Sequence, residues 1–334
     1  MDVFITGTGW ITPLGAGLDE VWEAILGGAP APTRELAGPV GTKAHRAATA
    51  PPKLVDDVAQ NGRLRRSSNI SLFAAGAAGA ALKNDEDNPS RMRTCAVITS
   101  ICDGGVIYSR RFYDQVVKKE TASPLLFPET VYNAPASHIA ALLGMDGITY
   151  TLVGDASAGL AAVELGVELL EAGEVDRCLI VGAEEADWIL GEAYRQWRLP
   201  ALMADGAAAI VLSREGKIRL EGVSGGVPFF RQREAGASLR AALGELPRGA
   251  KPCRVISCAN GTFVDEAERG AVEAVYGRLP TVYPKKSLGD AYGASALMQI
   301  VCAVQSIRRE PTGPVLVPVI GLNHQAAAAL ISAG

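Results

Sequence analysis

Short apolar runs alternate with longer amphipathic segments along most of the 334-residue chain. The short runs have the length of β-strands: VFITGTG, CAVITS, ITYTLVG, RCLIVGA, AAAIVLS, KIRLEGVS, CRVISCA, TVYPKK, VLVPVI and AAALISA. Between them a helical period predicts helices over Leu18–Leu26, Asn69–Leu82, Glu129–Leu143, Ala158–Ala172, Ala237–Leu246, Asp265–Tyr276 and Ala291–Arg308. Strands and helices that alternate in this way predict a fold of the α/β class.

The same pattern predicts how the chain is divided. It fades over residues 34–60, a Pro- and Ala-rich stretch that we interpret as a surface loop. It restarts after about Gly216, which permits two similar halves with a boundary near Arg214–Gly216. The predicted halves are residues 1–215 and 216–334.

Composition narrows the function classes. The chain is 48% hydrophobic and 20% charged, which suits closely packed helix and sheet layers. A net charge of −4 argues against a nucleic-acid-binding protein, which normally has a basic face. We expect no contact with a membrane, because no apolar run is long enough to span one. The N-terminus enters a strand directly and shows no signal-peptide n-region.

The six cysteines occur singly, mostly inside apolar runs, and no CxxC pair is present. The three histidines (His45, His138 and His324) are isolated, so we expect no metal site, and no spacing in the sequence points to a paired Cys/His or Ser/His centre. Buried reduced thiols are the expected state, which predicts a cytoplasmic protein.

The opening strand contains Gly7-x-Gly9, the beginning of a dinucleotide-binding fingerprint. Thr12 stands where a third glycine belongs, and no acidic residue closes a second strand at the required spacing. We therefore interpret these glycines as a tight turn from strand to loop.

One turn has the position of a nucleophile but lacks the chemistry. The stretch TLVGDASAGLAAVELGVELLEAG predicts strand, turn and helix, and the centre of the turn is Ala156. The neighbouring Ser157 has no base at a suggestive spacing, so we interpret it as the cap of the following helix.

Seven blocks of the chain, in order, resemble the β-ketoacyl synthases, the condensing enzymes of the thiolase superfamily. The blocks are DVFITGTGWITPLGAGLDEVWEAILGGAP, RLRRSSNISLFAAGAAGAAL, SPLLFPETVYNAPASHIAALLGMDGITYTL, GDASAGLAAVELGVELLEAGEVDRCLIVGAEEA, ANGTFVDEAE, PKKSLGDAYGASA and VIGLNHQAAAAL. The resemblance implies a thiolase-like αβαβα layered fold made of two βαβ-rich halves. In that family a cysteine at a helix start carries the acyl chain, and two histidines assist decarboxylation of a malonyl unit on acyl carrier protein.

The chain departs from the family at each reactive point. The cysteine position holds Ala156, and the two histidine positions hold Asn260 and Asp290. The family's Phe-Gly-rich loop is reduced to IGLN, residues 320–323. Lys285 matches the family lysine, and Asp265 and Glu268 match the acidic pair after the first histidine. We expect no unaided condensation, since alanine forms no thioester and an Asp290 anion would repel an enolate.

The resemblance implies a catalytically silent subunit of the chain-length-factor type, which shapes the acyl chamber of an active ketosynthase partner. Fatty acid, polyketide and aryl-polyene-type biosynthesis are the settings it suggests, and it implies no cofactor. One alternative is a divergent synthase or acyltransferase that uses Ser157, Cys102 or Cys258 as its nucleophile. Another is a non-catalytic homodimer that binds acyl chains or carrier protein.

Two contact surfaces are also implied. The family dimerises through the strand before the nucleophile turn, here Ile148–Val153, with Ile148, Tyr150 and Leu152 as candidate interface residues. Family members often hold the acidic carrier protein with basic residues near the helix entry of the second block, where this chain has Arg63, Arg65 and Arg66.

Overall fold

A computed structural model describes residues 1–86, 95–247, 249, 251–322 and 324–334. Within these residues the strands are β1 (Val3–Ile11), β2 (Thr33–Leu36), β3 (His45–Ala48), β4 (Cys95–Ile101), β5 (Thr149–Val153), β6 (Arg177–Glu184), β7 (Gly206–Ser213), β8 (Ile218–Val223), β9 (Val227–Pro228), β10 (Arg254–Ile256), β11 (Thr281–Val282), β12 (Val315–Ile320) and β13 (Gln325–Ala333). The α-helices are α1 (Leu18–Leu26), α2 (Asp56–Ala59), α3 (Asn69–Lys83), α4 (Val106–Lys119), α5 (Ala134–Leu143), α6 (Ala156–Glu171), α7 (Trp188–Gln196), α8 (Ala235–Glu245), α9 (Phe263–Tyr276), α10 (Pro284–Leu288) and α11 (Tyr292–Arg309).

Most strands join one mixed sheet in the order β11-β10-β12-β13-β8-β1-β7-β6-β4-β5. Strands β4, β5 and β6 run parallel at one end, and β10, β11 and β12 run parallel at the other. The two ends meet where β1 pairs with β8. Each end repeats the same order of connections, with β4, β5 and β6 corresponding to β10, β11 and β12. The division at residues 215/216 stays a prediction.

Two helices lie at the centre of the molecule. Every residue of α11 from Tyr292 to Ile307 is buried, so this helix is covered on all sides. Helix α6 packs against it at Gly159, where an added Cβ would come within 2.8 Å of the Ala296 Cβ. Only glycine permits this approach of the two helices. The close packing holds the N-terminal turn of α6 against the beginning of α11.

Most predicted elements are present with small shifts at their ends, and α1 has the predicted limits. The loop predicted over residues 34–60 is wrong, because this stretch contains the β2–β3 hairpin, a 3₁₀ turn at Pro52–Val55 and α2. These elements are only four residues long, too short to show a clear period.

Two further predictions were wrong in detail, and two helices were missed. The strand predicted over TVYPKK ends at Val282, because Pro284 opens α10. The helix predicted over Glu129–Leu143 begins only at Ala134, after a 3₁₀ turn at Phe127–Glu129. Helices α4 and α7 were not predicted. Helix α4 buries no residue fully, so it lacks the buried apolar stripe that a sequence search detects.

None of the described helices combines the length and the apolar character that are needed to cross a membrane.

Candidate functional site

The turn between β5 and α6 is buried. Ala156 is 4% exposed and belongs to the main core, and its methyl group provides no nucleophilic atom. The prediction that Ser157 caps α6 is wrong, because the cap is Asp155, whose side chain accepts a hydrogen bond from the Ser157 N–H at 3.3 Å. Ser157 lies inside the first helical turn instead.

The Ser157 hydroxyl has no histidine partner among the described residues. Its Oγ donates toward the Asp155 Oδ1 at 3.2 Å and lies 3.3 Å from the Gln325 Oε1. The ring of His324 packs against Phe229 instead, with 5.2 Å between the ring centroids. Within the described part of the chain, Ser157 therefore lacks the imidazole partner that activates the hydroxyl in Ser–His pairs.

Asn260 and Asp290, the residues expected at the positions of the family histidines, meet in space although 30 residues separate them. The Asn260 Nδ2 donates to the Asp290 Oδ2 at 2.7 Å. The Lys285 Nζ lies 2.9 Å from the Asp290 Oδ1, and the Ser295 Oγ donates to that same oxygen at 2.8 Å. Asp290 therefore has partners on both oxygens.

Lys285 and Asp290 form an ion pair inside the protein, with side chains that are 5% and 4% exposed. Burial alone would raise the pKa of Asp290, but the Lys285 charge and the hydrogen bonds from Asn260 and Ser295 together lower it. Burial alone would lower the pKa of Lys285, but the Asp290 charge raises it. Both groups are thus charged, and the expected repulsion by an Asp290 anion is countered by the adjacent ammonium.

Asp265 and Glu268, the acidic pair of α9, hold the backbone of this region. The Asp265 Oδ1 accepts hydrogen bonds from the N–H groups of Asn260 (2.8 Å) and Gly261 (3.0 Å). The Glu268 Oε2 accepts from the Cys258 N–H at 2.6 Å. Both carboxyl groups therefore fix the loop that carries Asn260.

The two alternative cysteines have environments that disfavour a thiolate. Cys258 is fully buried, and burial together with the nearby Glu268 raises its pKa well above the usual value. Burial also raises the pKa of Cys102, and the carboxylates of Asp103 and Glu184 raise it further. Since the thiolate is the nucleophile, neither environment activates its cysteine.

An open cleft of about 860 Å³ reaches the ion pair from the side of α9 and β11. Its inner end is formed by Asn260, Lys285 and Asp290, and its walls include Leu202 and Leu279. The described residues that line it do not include Ala156 or Ser157. The cleft therefore approaches the degenerate histidine positions without reaching the turn of α6.

A second polar cluster, which the sequence reading missed, lies where β4 and β6 end. The Glu184 side chain accepts hydrogen bonds from the N–H groups of Cys102, Asp103 and Gly293. Burial raises the pKa of Glu184 well above its usual value and raises that of Asp103 to about 6. The signal in the sequence was an acidic pair, Glu184 and Glu185, directly after a buried strand.

The predicted basic residues are exposed, just before α3. Arg63 donates to the Ala141 carbonyl at 3.1 Å. Helix α4 adds a fourth cation, because the Tyr108 hydroxyl donates to the Arg66 carbonyl at 3.1 Å and the Arg111 guanidinium lies 5.5 Å from the Tyr108 ring centroid.

Strand β5 is the last strand of the sheet at its end and pairs only with β4 among the described strands. Of the three predicted interface side chains only Tyr150 is exposed, at 44%, whereas Ile148 and Leu152 pack against the core. The Val97 N–H donates to the Ile148 carbonyl, and Val97 is in register with Thr149. In a parallel ladder the N–H groups of Thr149, Thr151 and Val153 consequently point to the open edge.

A separate group of exposed apolar side chains lies on α4 and the segment that follows it. Tyr113 is 66% exposed, Val117 80%, Leu125 59% and Phe127 55%. Large apolar groups in solvent on neighbouring segments are typical of a surface that binds another protein.

Comparison with known proteins places this geometry in a family. Residues 1–199 match the family model for the N-terminal domain of β-ketoacyl synthases. A Streptomyces coelicolor protein, the actinorhodin polyketide putative beta-ketoacyl synthase 2, is 26% identical over 366 aligned positions, covering 94% of this chain and 88% of that protein.

Two solved structures have the same fold over the whole chain. The ishigamide ketosynthase/chain length factor aligns with a TM-score of 0.86 at 18% identity, covering 100% of this chain and 99% of that one. A type II PKS acyl-carrier protein in complex with its ketosynthase gives 0.82 at 15% identity, with coverage of 100% and 99%. These matches confirm the predicted thiolase-like α/β fold and the resemblance to proteins of the chain-length-factor type. Asn323, the last residue of the shortened IGLN loop, lies outside the described residues.

Proposed function

This chain belongs to the β-ketoacyl synthase family, and we propose that it is a catalytically silent subunit of the chain-length-factor type. In this role it pairs with an active ketosynthase and forms part of the wall around the growing acyl chain. The biosynthesis of polyketides, aryl-polyene-type products or fatty acids is the setting we propose.

One observation carries the proposal: the position of the acyl-carrying cysteine holds a buried methyl group, while the two histidine positions are tied to a lysine. Ala156 has no nucleophilic atom, and Asn260 and Asp290 are occupied with each other and with Lys285. Condensation needs both a nucleophile and proton-transfer groups, and general acid–base help alone contributes about 10²–10⁴-fold. A side chain that retained one of these functions would weaken the proposal.

The environments of the alternative nucleophiles support the same interpretation. Burial raises the pKa of both Cys102 and Cys258. Ser157 contacts a carboxylate and an amide oxygen but no imidazole within the described residues. A divergent synthase that uses one of these residues is therefore the less favoured function.

We propose the open edge of β5 as the surface that meets the ketosynthase. Three N–H groups of this strand point outward, and α4 adds exposed apolar side chains that a partner could also cover. An edge strand left unpaired is prone to aggregation, so pairing with another sheet would protect it. A ketosynthase partner leaves the complex with one working cysteine, whereas a homodimer would contain none.

We propose that acyl carrier protein docks at Arg63, Arg65 and Arg66, with Arg111 extending the basic surface. Carrier proteins of this family are acidic, so exposed guanidinium groups would attract them and set their orientation. A cytoplasmic location also stays part of the proposal. Four of the six unpaired cysteines are buried, which agrees with reduced thiols.

The proposal is tested by incubating the purified chain, alone and with a ketosynthase co-expressed from the same gene cluster, with acyl- and malonyl-loaded carrier protein. Intact-mass spectrometry reports acylation, and size-exclusion chromatography reports the complex. We expect no acyl adduct on this chain, a 1:1 complex, and ketoacyl product only when the partner is present. A stoichiometric adduct on Ser157 or Cys258 would establish the divergent enzyme instead.

A further inference from the structure

Tyr292 opens α11 at the point where the parallel strands β4, β5 and β6 end. The adjacent Gly293 is pressed against these strand ends: an added Cβ would lie 3.0 Å from the Ile101 Cα and 2.8 Å from the Glu184 Oε1. The turn that leads to Ala156 is tied to the same place, because the Gly154 N–H donates to the Ile101 carbonyl at 3.0 Å. The backbone of Tyr292 is therefore fixed beside the degenerate turn.

The side chain of Tyr292 lies in an apolar cluster at these strand ends. It is 7% exposed, and its ring meets the buried ring of Tyr194 edge-on, with 5.4 Å between the centroids. Both rings belong to one apolar cluster, with Ala47, Ala186, Ala201 and Met203, and Cys102 and Leu322 pack against it. Burial raises the pKa of the Tyr292 phenol, and the charges of Asp103, Cys102, Glu184 and Asp155 raise it further.

The backbone of Tyr292 has a conformation that a tyrosine does not favour by itself. Tyr292 has a φ of +35°, in the region that favours glycine. A large aromatic residue keeps such a conformation only where the surrounding structure imposes it, and positions of this kind are concentrated at functional sites.

In open α/β sheets ligands bind in the crevice beyond the carboxyl ends of the parallel strands. In this chain two tyrosine rings occupy that crevice. We propose that Tyr292 acts as a plug that closes the acyl pocket of this subunit beside Ala156. The inference rests on the proposed function: the acyl chain handled by the complex is then excluded from the silent site and stays on the partner's side of the chamber.

A reporter thiol on the turn tests the plug without any partner. Ala156→Cys is treated with methyl methanethiosulfonate or octyl methanethiosulfonate, and peptide mass spectrometry measures the modification rate at position 156. With Tyr292 in place we expect the octyl reagent to react about tenfold more slowly than the methyl reagent. This ratio corresponds to a cost of roughly 1.4 kcal/mol for fitting the octyl chain into a site that is already filled. Adding Tyr292→Ala is expected to bring the two rates close together.

Matched variants distinguish steric exclusion by the Tyr292 ring from a general loss of packing in the protein. Tyr292→Phe keeps the ring and is expected to keep the octyl reagent excluded. Tyr292→Leu is expected to relieve this exclusion in part, and it serves as the test if the alanine variant folds poorly. Circular dichroism and thermal unfolding verify that each variant is folded. The plug is disproved if the octyl reagent reacts as fast as the methyl reagent while Tyr292 is present. It is equally disproved if Tyr292→Ala and Tyr292→Leu change neither rate, including the case in which the thiol stays unreactive.

The thiol-modification rates depend neither on condensation activity nor on pairing with a ketosynthase. Exclusion without a ketosynthase complex would leave the plug standing and overturn the proposed function. A ketosynthase complex in which the octyl reagent is not excluded would support the proposed function and disprove the plug.

Discussion

The ammonium group of Lys285 lies 2.9 Å from the carboxylate of Asp290, in a part of the protein that excludes both side chains from solvent. Asn260 and Ser295 complete the shell around that carboxylate. In a family whose members use two histidines here, this chain has a compensated ion pair. On the proposed function, this ion pair has a structural role and not a catalytic one.

Removing one member of this pair is expected to destabilise the fold. Lys285→Met leaves a buried carboxylate without its cation, which costs roughly 3–5 kcal/mol. Urea unfolding measures this loss as a lower midpoint. The neighbouring Lys286 is exposed, so Lys286→Met is the control, with an expected change within about 0.5 kcal/mol. Equal midpoints for the two variants would show that the pair contributes nothing to stability.

Restoring the nucleophile alone is expected to leave the chain inactive. Ala156→Cys places a thiol at the N-terminus of α6, but Asn260 and Asp290 still replace the two histidines. Without general acid–base help, worth about 10²–10⁴-fold, turnover is expected to stay near background. Product formation from malonyl-loaded carrier protein is followed by mass spectrometry. Measurable ketoacyl product from this single variant would show that the catalytic positions are assigned wrongly.

Reversing charge before α3 is expected to weaken binding of the carrier protein. Arg65→Glu with Arg66→Glu replaces two attractions by two repulsions, an effect of about 1–2 kcal/mol or roughly 5- to 30-fold in Kd. Added salt is expected to weaken the wild type as well. Lys217→Glu with Arg219→Glu is the control, since it makes the same charge change in a distant part of the chain. Titration calorimetry decides, and equal affinities for the two double variants would exclude docking at this surface.

The edge of β5 allows a sharp test of the heterodimer. The Thr151 N–H points outward, so Thr151→Pro removes a donor from the open edge while the bonds to β4 stay in place. We expect the ketosynthase complex to weaken by roughly 5- to 160-fold, because a lost hydrogen bond and its unpaired partner cost about 1–3 kcal/mol. Thr151→Val keeps the N–H and is expected to bind normally.

Co-purification and analytical ultracentrifugation compare these variants. Wild-type complex yield with Thr151→Pro would rule out strand pairing at this edge. A tight wild-type homodimer that does not exchange with the ketosynthase would rule out the heterodimer.

Glu129 is expected to make stability depend on acid pH. Its buried carboxylate accepts hydrogen bonds from the Ser68 N–H and from the hydroxyls of Ser68 and Ser71, and it also pairs with His138. Burial opposes ionisation, but the His138 and Ser68 bonds prevail and lower the pKa from 4.5 to about 2. The folded state thus holds the proton less tightly than the unfolded state, so the stabilisation is complete above about pH 4.5 and disappears as the pH falls toward 2.

Glu129→Gln removes this stabilisation at neutral pH, at a cost of roughly 2–4 kcal/mol. Urea unfolding at pH 7 and pH 3 is expected to show a wild-type advantage that shrinks at the lower pH. An advantage of the same size at both values would mean that the Glu129 charge does not contribute.

The sequence alone determined the class of fold and showed that position 156 holds an alanine, which has no nucleophilic atom. The alternation of strands and helices is a local property of apolar spacing, which is why α1 and the strands around Ala156 could be predicted. The order of the seven blocks identified the family, and the alanine at the turn excluded a thioester without any coordinates. The failures over residues 34–60 and at α4 arose where segments are short or are not buried, because the period then carries no signal.

Only the tertiary structure decided which side chains meet. Asn260 comes from a segment separate from the one that carries Lys285 and Asp290, and their network exists because the loop before α9 lies against the start of α11. Tyr292 looked like an ordinary helix residue until its neighbour Gly293 was found against Ile101 and Glu184, residues that lie more than a hundred positions earlier in the chain. The outward direction of the Thr151 N–H likewise depends on the register with β4. Local spacing specifies helices and strands, but contacts between distant segments depend on how the core packs, and that is decided by the whole chain at once.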